Sequence, residues 1–244
     1  MKSPWKEILL ALVVLVAAVG MTTWCALCRV VKQPGWIASD QRDAYFYGSI
    51  EAGKTAGLPY WVWLSMPRIF PEHMPGPGGY AALGLSWEEG KEMPVGFAKQ
   101  RVGYIRVTGN CALCHVISRS NGTDLGPDIV TAIPGRTTDL KPLLTFFRDC
   151  AADPRFNADE FFSEIDGDTK LSFFDRLIYR YVLIPRTRKA LMADPAQVLF
   201  SPALRAHLRD PHSDAPFADP QFKPFKEMLI QQSQPIEKTT PLTR

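Results

Sequence analysis

The sequence has little cysteine, and beyond its first residues it has no excess of charge of either sign. Five cysteines in 244 residues are too few for a disulfide-stabilised scaffold. Of the 28 basic and 25 acidic residues, four basic and one acidic lie within residues 1–32, so the remainder carries no net charge. A neutral body lacks the basic surface that nucleic-acid binding requires, which excludes nucleic acid as a partner.

The chain also lacks any internal repeat, but it is not short of apolar residues or of residues that form turns. Hydrophobic residues make up 46% and charged residues 22%, which excludes a wholly disordered chain. The 17 glycines and 21 prolines predict long irregular loops between the regular elements. We therefore expect a folded chain of one domain, or a small pair, with much irregular backbone.

An uncharged apolar run occupies residues 8–27 near the amino terminus. Twenty residues at the rise of an α-helix cross the hydrocarbon core of a bilayer, which is about 30 Å thick. Two lysines precede the run, and Arg29 and Lys32 follow it. The run predicts an uncleaved membrane anchor; a signal peptide cleaved after the small residues at 18–20 is the alternative.

Hydrophobic periodicity distinguishes the two halves of the remaining chain. Residues 33–105 are rich in aromatic and turn residues and predict short helices and loops with little regular sheet. Beyond residue 138 the apolar residues recur at helical spacing. The predicted helices are 139–150, capped by Thr138 or Asp139; 157–165, capped by Asn157; 169–184, ended by Pro185; and 187–193.

The motif that carries chemistry is Cys111-Ala112-Leu113-Cys114-His115, the attachment signature of c-type haem. Two thiols three residues apart can each add to one vinyl group of the same porphyrin, and the next residue presents an imidazole to the iron. Random placement of these residues would give roughly 0.002 such matches. Cys111, Cys114 and His115 are therefore the predicted haem-binding residues, and His115 is the predicted iron ligand. A zinc site and a thioredoxin-like dithiol remain as alternatives.

Covalent haem attachment of this type takes place outside the bacterial cytoplasm. The motif and the apolar run therefore predict a single-pass inner-membrane protein with its amino terminus inside and its haem domain in the periplasm. The predicted organisation is an anchor at residues 1–32, a monohaem domain at 33–210 and a proline-rich tail at 211–244. The predicted fold class is mainly α: a cytochrome c-like helical domain around one covalent haem, with long Pro/Gly-rich loops.

The sequence leaves the sixth iron ligand open. Methionine or histidine in that position makes an electron-transferring iron, whereas an open position can bind oxygen or peroxide. The candidates are Met192, Met228, His207, His212, His73, Met74 and Met93. Candidates for packing against the haem plane are Phe97, Tyr104, Phe146 and Phe147, and candidates for pairing with its propionates are Arg101, Arg106, Arg119 and Arg136.

Three cysteines lie outside the haem motif. Cys25 and Cys28 form a second CxxC at the end of the apolar run, but Arg29 follows it in place of histidine. This pair is either the end of an apolar helix or a disulfide, lipid-attachment or metal pair at the membrane face. Cys150 lies on a helical apolar pattern, which predicts a buried and inert thiol.

Several further strings flank the motif and carry a family resemblance. They are GLPYWVW at 57–63, GGY at 78–80, WEEG at 87–90, MPVGF at 93–97, NCALCH at 110–115, PGR at 134–136, DL at 139–140 and DPRF at 153–156. Between residues 45 and 190 the chain resembles the N-terminal haem half of periplasmic dihaem c-type cytochromes related to cytochrome c peroxidases and latex-cleaving rubber oxygenases. The resemblance implies that His115 is the proximal ligand of the first haem and that Cys111 and Cys114 are its thioether anchors.

The chain departs from that family in carrying one haem motif where its members carry two. An internal relay between two haems is therefore absent. We expect a membrane-anchored monohaem electron carrier whose partner is a redox protein or a membrane redox complex. The alternatives are a peroxidase- or oxygenase-like enzyme with an open distal site, completed by a partner haem subunit, and a structural subunit of a membrane redox complex.

Overall fold

The computed structural model describes residues 4–28, 41–49, 56–119, 128–131 and 140–209. Helical turns make up 64% of these residues, which confirms the prediction of a mainly α chain. The α-helices are α1 (Pro4–Cys28), α2 (Gln41–Tyr47), α3 (Tyr60–Ile69), α4 (Lys141–Ala152), α5 (Ala158–Asp168), α6 (Phe173–Ile178), α7 (Ile184–Ala193), α8 (Pro195–Leu199) and α9 (Pro202–Arg209). Short 3₁₀ turns lie at Pro71–His73, Gly79–Leu83 and Cys111–Leu113, and a π-helical turn lies at Tyr179–Leu183.

Helix α1 contains the predicted apolar run. Its segment Trp5–Thr22 has a mean hydropathy of 1.9, and none of that segment is buried against the rest of the described chain. Among the described residues this is the one helix long and apolar enough to cross a membrane. A bilayer core of about 30 Å is about as thick as this segment is long.

The region predicted to hold little regular sheet contains a three-stranded antiparallel sheet. Strands β2 (Phe97–Val102) and β3 (Tyr104–Gly109) form a hairpin, and the short β1 (Leu58–Pro59) pairs with the other edge of β3. The connection is Gly103 alone, with φ at +74°. The expectation of little sheet rested on the many turn residues of this region and was wrong. The β-branched and aromatic residues in both strands favour extended backbone, and a glycine permits the tight reversal.

A second, two-stranded sheet begins directly after the haem motif. Strand β4 (Val116–Arg119) pairs antiparallel with β5 (Asp128–Thr131). The motif turn therefore connects β3 of one sheet to β4 of the other. Strands on both sides hold the two ends of the turn.

The predicted helices of the second half are present, with changes at their ends. Helix α4 begins at Lys141, and its predicted caps lie outside the described residues. Asn157 caps α5 as predicted, since its Oδ1 accepts hydrogen bonds from the backbone N–H groups of Asp159 (3.0 Å) and Glu160 (3.2 Å). That helix continues to Asp168, three residues beyond its predicted end.

The predicted helix 169–184 differs most from what is observed. Helix α6 begins after Ser172, whose Oγ accepts a hydrogen bond from the N–H of Asp175. The chain then passes through the π-helical turn and continues as α7, so Pro185 lies in a first turn and does not end a helix. A proline is tolerated there because the first N–H groups of a helix have no partner within it.

Apolar residues three and four positions apart in this segment predict one buried face, which is partly wrong; that face consists of Leu171, Phe174, Leu177, Ile178, Tyr181 and Val182. Phe174 and Tyr181 are 74% and 71% exposed, whereas Tyr179, Leu183 and Ile184 are buried. The π-helical turn adds a residue to one turn and so rotates the buried face relative to a regular 3.6-residue period.

The core that supports the motif is aromatic. Trp63 of α3 is fully buried and stacks on Tyr80, with ring centroids 4.4 Å apart. Tyr80 also donates a 2.6 Å hydrogen bond to the backbone carbonyl of Trp63. Phe146 and Phe147 of α4 pack on Tyr80, and Phe97 of β2 packs on Trp63. This cluster joins the sheet to α3 and α4 and gives the motif turn a rigid base.

Candidate functional site

The haem motif forms one helical turn between two strands. The backbone N–H groups of Cys114 and His115 both donate to the carbonyl of Cys111, at 3.2 Å each. In a 3₁₀ turn the side chains at i and i+3 lie on the same side. The turn therefore brings the side chains of Cys111 and Cys114 to one face, as the spacing of the motif predicts, and His115 begins the next element.

Asn110 fixes the start of this turn and is 2% exposed. Its Oδ1 accepts a 2.9 Å hydrogen bond from the N–H of Ala112, as an N-cap does. Its Nδ2 donates to two backbone carbonyls at the end of helix α2 and just beyond it, those of Phe46 (3.2 Å) and Gly48 (2.7 Å). One buried side chain thus satisfies three backbone groups and joins the motif to a segment more than sixty positions earlier in the chain.

Two glycines allow other parts of the chain to approach the turn closely. Gly96 has φ at +89°, and a Cβ there would overlap the Cα of Leu113. Its N–H donates to Phe46, and its carbonyl accepts from the N–H of Asn110 at 2.8 Å. A Cβ at Gly109 would overlap the ring of Phe200. Only glycine permits these two contacts, so each is a requirement of the packing around the motif.

Both motif cysteines are buried, Cys111 at 9% and Cys114 at 5% exposure, and they form no disulfide with a described residue. Burial raises the pKa of Cys111 to about 12. The phenol of Tyr45 on α2 lies beside them: burial raises the pKa of Tyr45, and both thiols raise it further. A redox-active dithiol needs a thiolate near neutral pH, so this environment disfavours the thioredoxin-like alternative.

The donors of the motif do not converge as zinc ligands would. Tetrahedral zinc brings its ligand atoms within about 4 Å of one another. Among the described residues, the only group of three histidine, cysteine or acidic ligands within 4.8 Å is Glu72, His73 and Asp153. Arg155 forms ion pairs with both carboxylates of that group, so its positive charge already occupies the site. The described residues therefore offer no zinc site at the motif.

No protein-family model, curated protein or solved structure matches this chain. The resemblance to dihaem cytochromes therefore stays a prediction from the sequence strings around the motif. What the structure itself contributes is the geometry of the turn, which brings the side chains of Cys111 and Cys114 to one face.

The predicted sixth ligands lie in different places, and one of them is on a segment that contacts the motif. Met93 is 5% exposed and lies three residues before Gly96, the glycine that packs on the turn. His73 lies 3.5 Å from a carboxylate oxygen of Asp153, and Met192 is 53% exposed on α7. Met74 is half-buried. His207 lies on α9, but its side chain is outside the described part of the chain. His212 and Met228 lie wholly outside it.

The predicted aromatic and propionate-pairing residues divide between the core and a separate cavity. Phe97, Phe146 and Phe147 belong to the buried aromatic cluster around Trp63 and Tyr80. Tyr104 and Arg106 contact each other beside a cavity that no motif residue lines. Arg101 is exposed. The side chain of Arg119 and the whole of Arg136 lie outside the described part of the chain.

Of the remaining cysteines, the structure describes the side chain of Cys150 alone. Cys150 on α4 is fully buried. Cys25 and Cys28 lie in the last two turns of α1, and their side chains are outside the described residues.

Sequence reasoning missed two residues that build the site. Asn110 carries a recognisable signal, because asparagine directly before a helical turn is a preferred N-cap. Tyr45 carries no sequence signal, because it is distant in sequence from the cysteines. Only the packing of α2 against the motif turn brings its side chain close to them.

Proposed function

We propose that this chain is a membrane-anchored periplasmic cytochrome with one covalent c-type haem, which transfers single electrons between redox partners. The observation that carries the proposal is the turn at Cys111–Leu113, with two thiols on one side and an imidazole directly after them. The haem, when bound, supplies an iron that cycles between its ferrous and ferric states. Cys111 and Cys114 anchor it through thioether bonds, and His115 ligates its metal.

The chain's own residues support this role by holding the turn rigid and dry. Asn110 fixes its backbone, and Gly96 lets the segment 93–97 pack directly on it. The phenol of Tyr45 on α2 lies close to both thiols. Burial of this kind excludes water from the attachment site and restricts reorganisation on electron transfer, as a carrier requires.

In this proposal helix α1 anchors the carrier in the membrane, close to its redox partners. A tether raises the effective concentration of the haem domain near a membrane redox protein without any new contact. The neutral body argues against strong charge steering, so tethering is the main source of encounter.

The deciding experiment is expression of the full chain in a bacterium with an active cytochrome c maturation system. We expect a protein that stays coloured after denaturation and acid-acetone extraction, heavier than the polypeptide by one haem. Cys111→Ala with Cys114→Ala abolishes the covalent colour, and Cys150→Ala, another buried cysteine, retains it. A colourless chain overturns the proposal.

A spectroscopic measurement distinguishes a carrier from an enzyme with an open iron. We expect a low-spin spectrum in both oxidation states that carbon monoxide barely perturbs. Met93 is the sixth ligand we favour, because its segment packs on the motif. Met93→Leu then converts the iron to a high-spin form that binds carbon monoxide, while Met192→Leu leaves the spectrum unchanged. Ready carbon monoxide binding by the wild-type protein rejects the carrier and favours the peroxidase- or oxygenase-like alternative.

A further inference from the structure

A cavity of about 490 Å³ lies between β3, α7, α8 and α9, away from the haem motif. Its charged lining consists of three arginines: Arg106 on β3, Arg186 on α7 and Arg205 on α9. No aspartate or glutamate lines it among the described residues. Cys111, Cys114 and His115 are not part of its lining, so a ligand bound in this cavity does not require haem attachment.

Arg106 is built into the wall of this cavity and is only 7% exposed. Its guanidinium lies 4.2 Å from the centroid of the Tyr104 ring, and its Nη1 is 3.4 Å from the carbonyl of Ala56. Gly57, with φ at +112°, makes room for it, because a Cβ there would lie 3.0 Å from the Cβ of Arg106. The backbone is thus shaped to hold a guanidinium at this depth.

The other two arginines leave donors available to the cavity. The Nε of Arg205 is buried and has no hydrogen-bond partner among the described residues. Arg186 forms no ion pair with a described carboxylate, and its charge, like that of Arg106, acts on the phenol of Tyr104. A buried N–H without an acceptor is rare in folded proteins, and a bound acceptor would satisfy it.

In a neighbouring cavity, the lining arginines donate hydrogen bonds to a carboxylate or to backbone carbonyls. That cavity is lined by Arg180 and Arg188, of the π-helical turn and α7. Arg180 donates to Asp159 at 2.6 Å, and Arg188 donates to the backbone carbonyls of Ala151 and Asp153. The arginine-lined cavity differs because its lining among the described residues contains no carboxylate.

The rest of the lining indicates what kind of anion fits. Apolar side chains of Val182, Leu183, Val198 and Phe200 share the cavity with the arginines. Its volume falls within the range of small-molecule sites and exceeds what an inorganic anion fills. We propose that this cavity binds an organic oxyanion, whose carboxylate or phosphate group accepts hydrogen bonds from the arginines and whose apolar part contacts these side chains.

The test measures binding to the full chain in phosphatidylcholine nanodiscs by calorimetry, with benzoate as the probe and benzyl alcohol as its neutral counterpart. We expect benzoate to bind and benzyl alcohol to give no saturable heat. Arg205→Gln and Arg186→Gln each weaken benzoate at least about tenfold, since each removes one charged hydrogen bond. The control Arg176→Gln, on the exposed face of α6 where it pairs with Asp166, leaves benzoate affinity unchanged.

Two results overturn the proposal: benzyl alcohol binding as tightly as benzoate, or benzoate binding that neither cavity variant weakens. Absence of any benzoate binding also overturns it. Vesicles of phosphatidylglycerol identify the source of the anion. Displacement of benzoate by these vesicles, but not by phosphatidylcholine vesicles, supports the proposal with a lipid headgroup as ligand, whereas retention of bound benzoate supports it with a soluble organic acid as ligand.

Discussion

At the scale of single residues, Asn110 is the side chain on which the motif turn most depends. It caps the turn at Ala112 and donates to the carbonyls of Phe46 and Gly48 while almost fully buried. Asn110→Ala leaves the carbonyl of Gly48 and the N–H of Ala112 without the partner they have here, and it removes one of the two hydrogen bonds to the carbonyl of Phe46. We therefore expect a loss of about 2–4 kcal/mol in the free energy of unfolding. Chemical denaturation followed by circular dichroism measures it.

The matched control for this substitution is Asn157→Ala. Asn157 is also an asparagine N-cap, but it lies at the partly exposed start of α5. Loss of a solvent-accessible cap costs about 1 kcal/mol. Equal losses for the two variants would show that the buried contacts to α2 contribute nothing, and the proposed role of Asn110 would fail.

Gly96 is the second residue whose identity the site requires. Gly96→Ala introduces a Cβ that overlaps the backbone of Leu113 at a positive φ, so we expect a loss of about 4 kcal/mol or more and failure to hold the motif turn. Gly90→Ala shares the positive φ, at +74°, but its Cβ meets nothing within 4 Å. That control loses about 1 kcal/mol through strain alone. Thermal and chemical unfolding of both variants test the difference; equal losses would remove the steric argument.

At the scale of elements, helix α4 contains a buried thiol that makes the stability of the fold depend on pH. Its Cys150 is fully buried, and burial, followed by the charges of Asp149 and Asp153, raises the pKa of this thiol. The unfolded chain releases the proton above about pH 8.5, whereas the folded chain keeps it. The unfolded state then binds fewer protons, so stability is complete below that pH and falls as pH rises toward the folded-state pKa.

We therefore expect the free energy of unfolding of the haem-loaded protein to decrease between about pH 8.5 and 10 by up to about 1.4 kcal/mol per pH unit from this thiol. Cys150→Ala removes that slope and costs about 1 kcal/mol at neutral pH for the lost packing. Denaturant titrations at several pH values measure both effects. Identical slopes for the two proteins would show that Cys150 does not titrate on unfolding.

Elements also show where sequence patterns stop being informative. The cap of α5 was predictable because Asn157 and the N–H groups that it accepts from are close in sequence. The rotation of the buried face along α6 and α7 was not predictable, because a π-helical turn leaves no periodic signal in the sequence. In addition, the exposed Phe174 is as hydrophobic as a residue of the core. The β2–β3 hairpin was missed because three of the six residues of β2 are charged or amide side chains, so its sequence gives no clear strand signal until the partner strand is known.

At the scale of the whole molecule, the sequence predicted the apolar amino-terminal helix, the mainly helical body and a turn that brings Cys111 and Cys114 to one face. Each of these features depends on local composition or on the spacing of nearby residues. The surroundings of the turn depend on contacts distant in sequence. Tyr45, Gly96 and Phe200 reach it from three separate parts of the chain. The arginine-lined cavity likewise joins a strand and three helices, and no single segment contains its pattern.

The anchor and the haem motif make one joint prediction about the orientation of the chain. Flanking charges do not settle it, since basic residues lie on both sides of the apolar run. The proposed haem attachment takes place outside the cytoplasm, so under this proposal we expect alkaline phosphatase fused after residue 244 to be active. Deletion of residues 1–32 then abolishes both phosphatase activity and covalent haem, although the motif is intact.

Replacement of residues 1–32 by a cleavable signal peptide separates location from structure. Helix α1 makes no buried contact with the described body across Trp5–Thr22, so the body should fold without it. We expect this variant to regain phosphatase activity and covalent haem as a soluble periplasmic protein. Haem attachment in the cytoplasmic deletion variant, or its absence in the secreted one, would show that the motif and the anchor are not coupled as we infer.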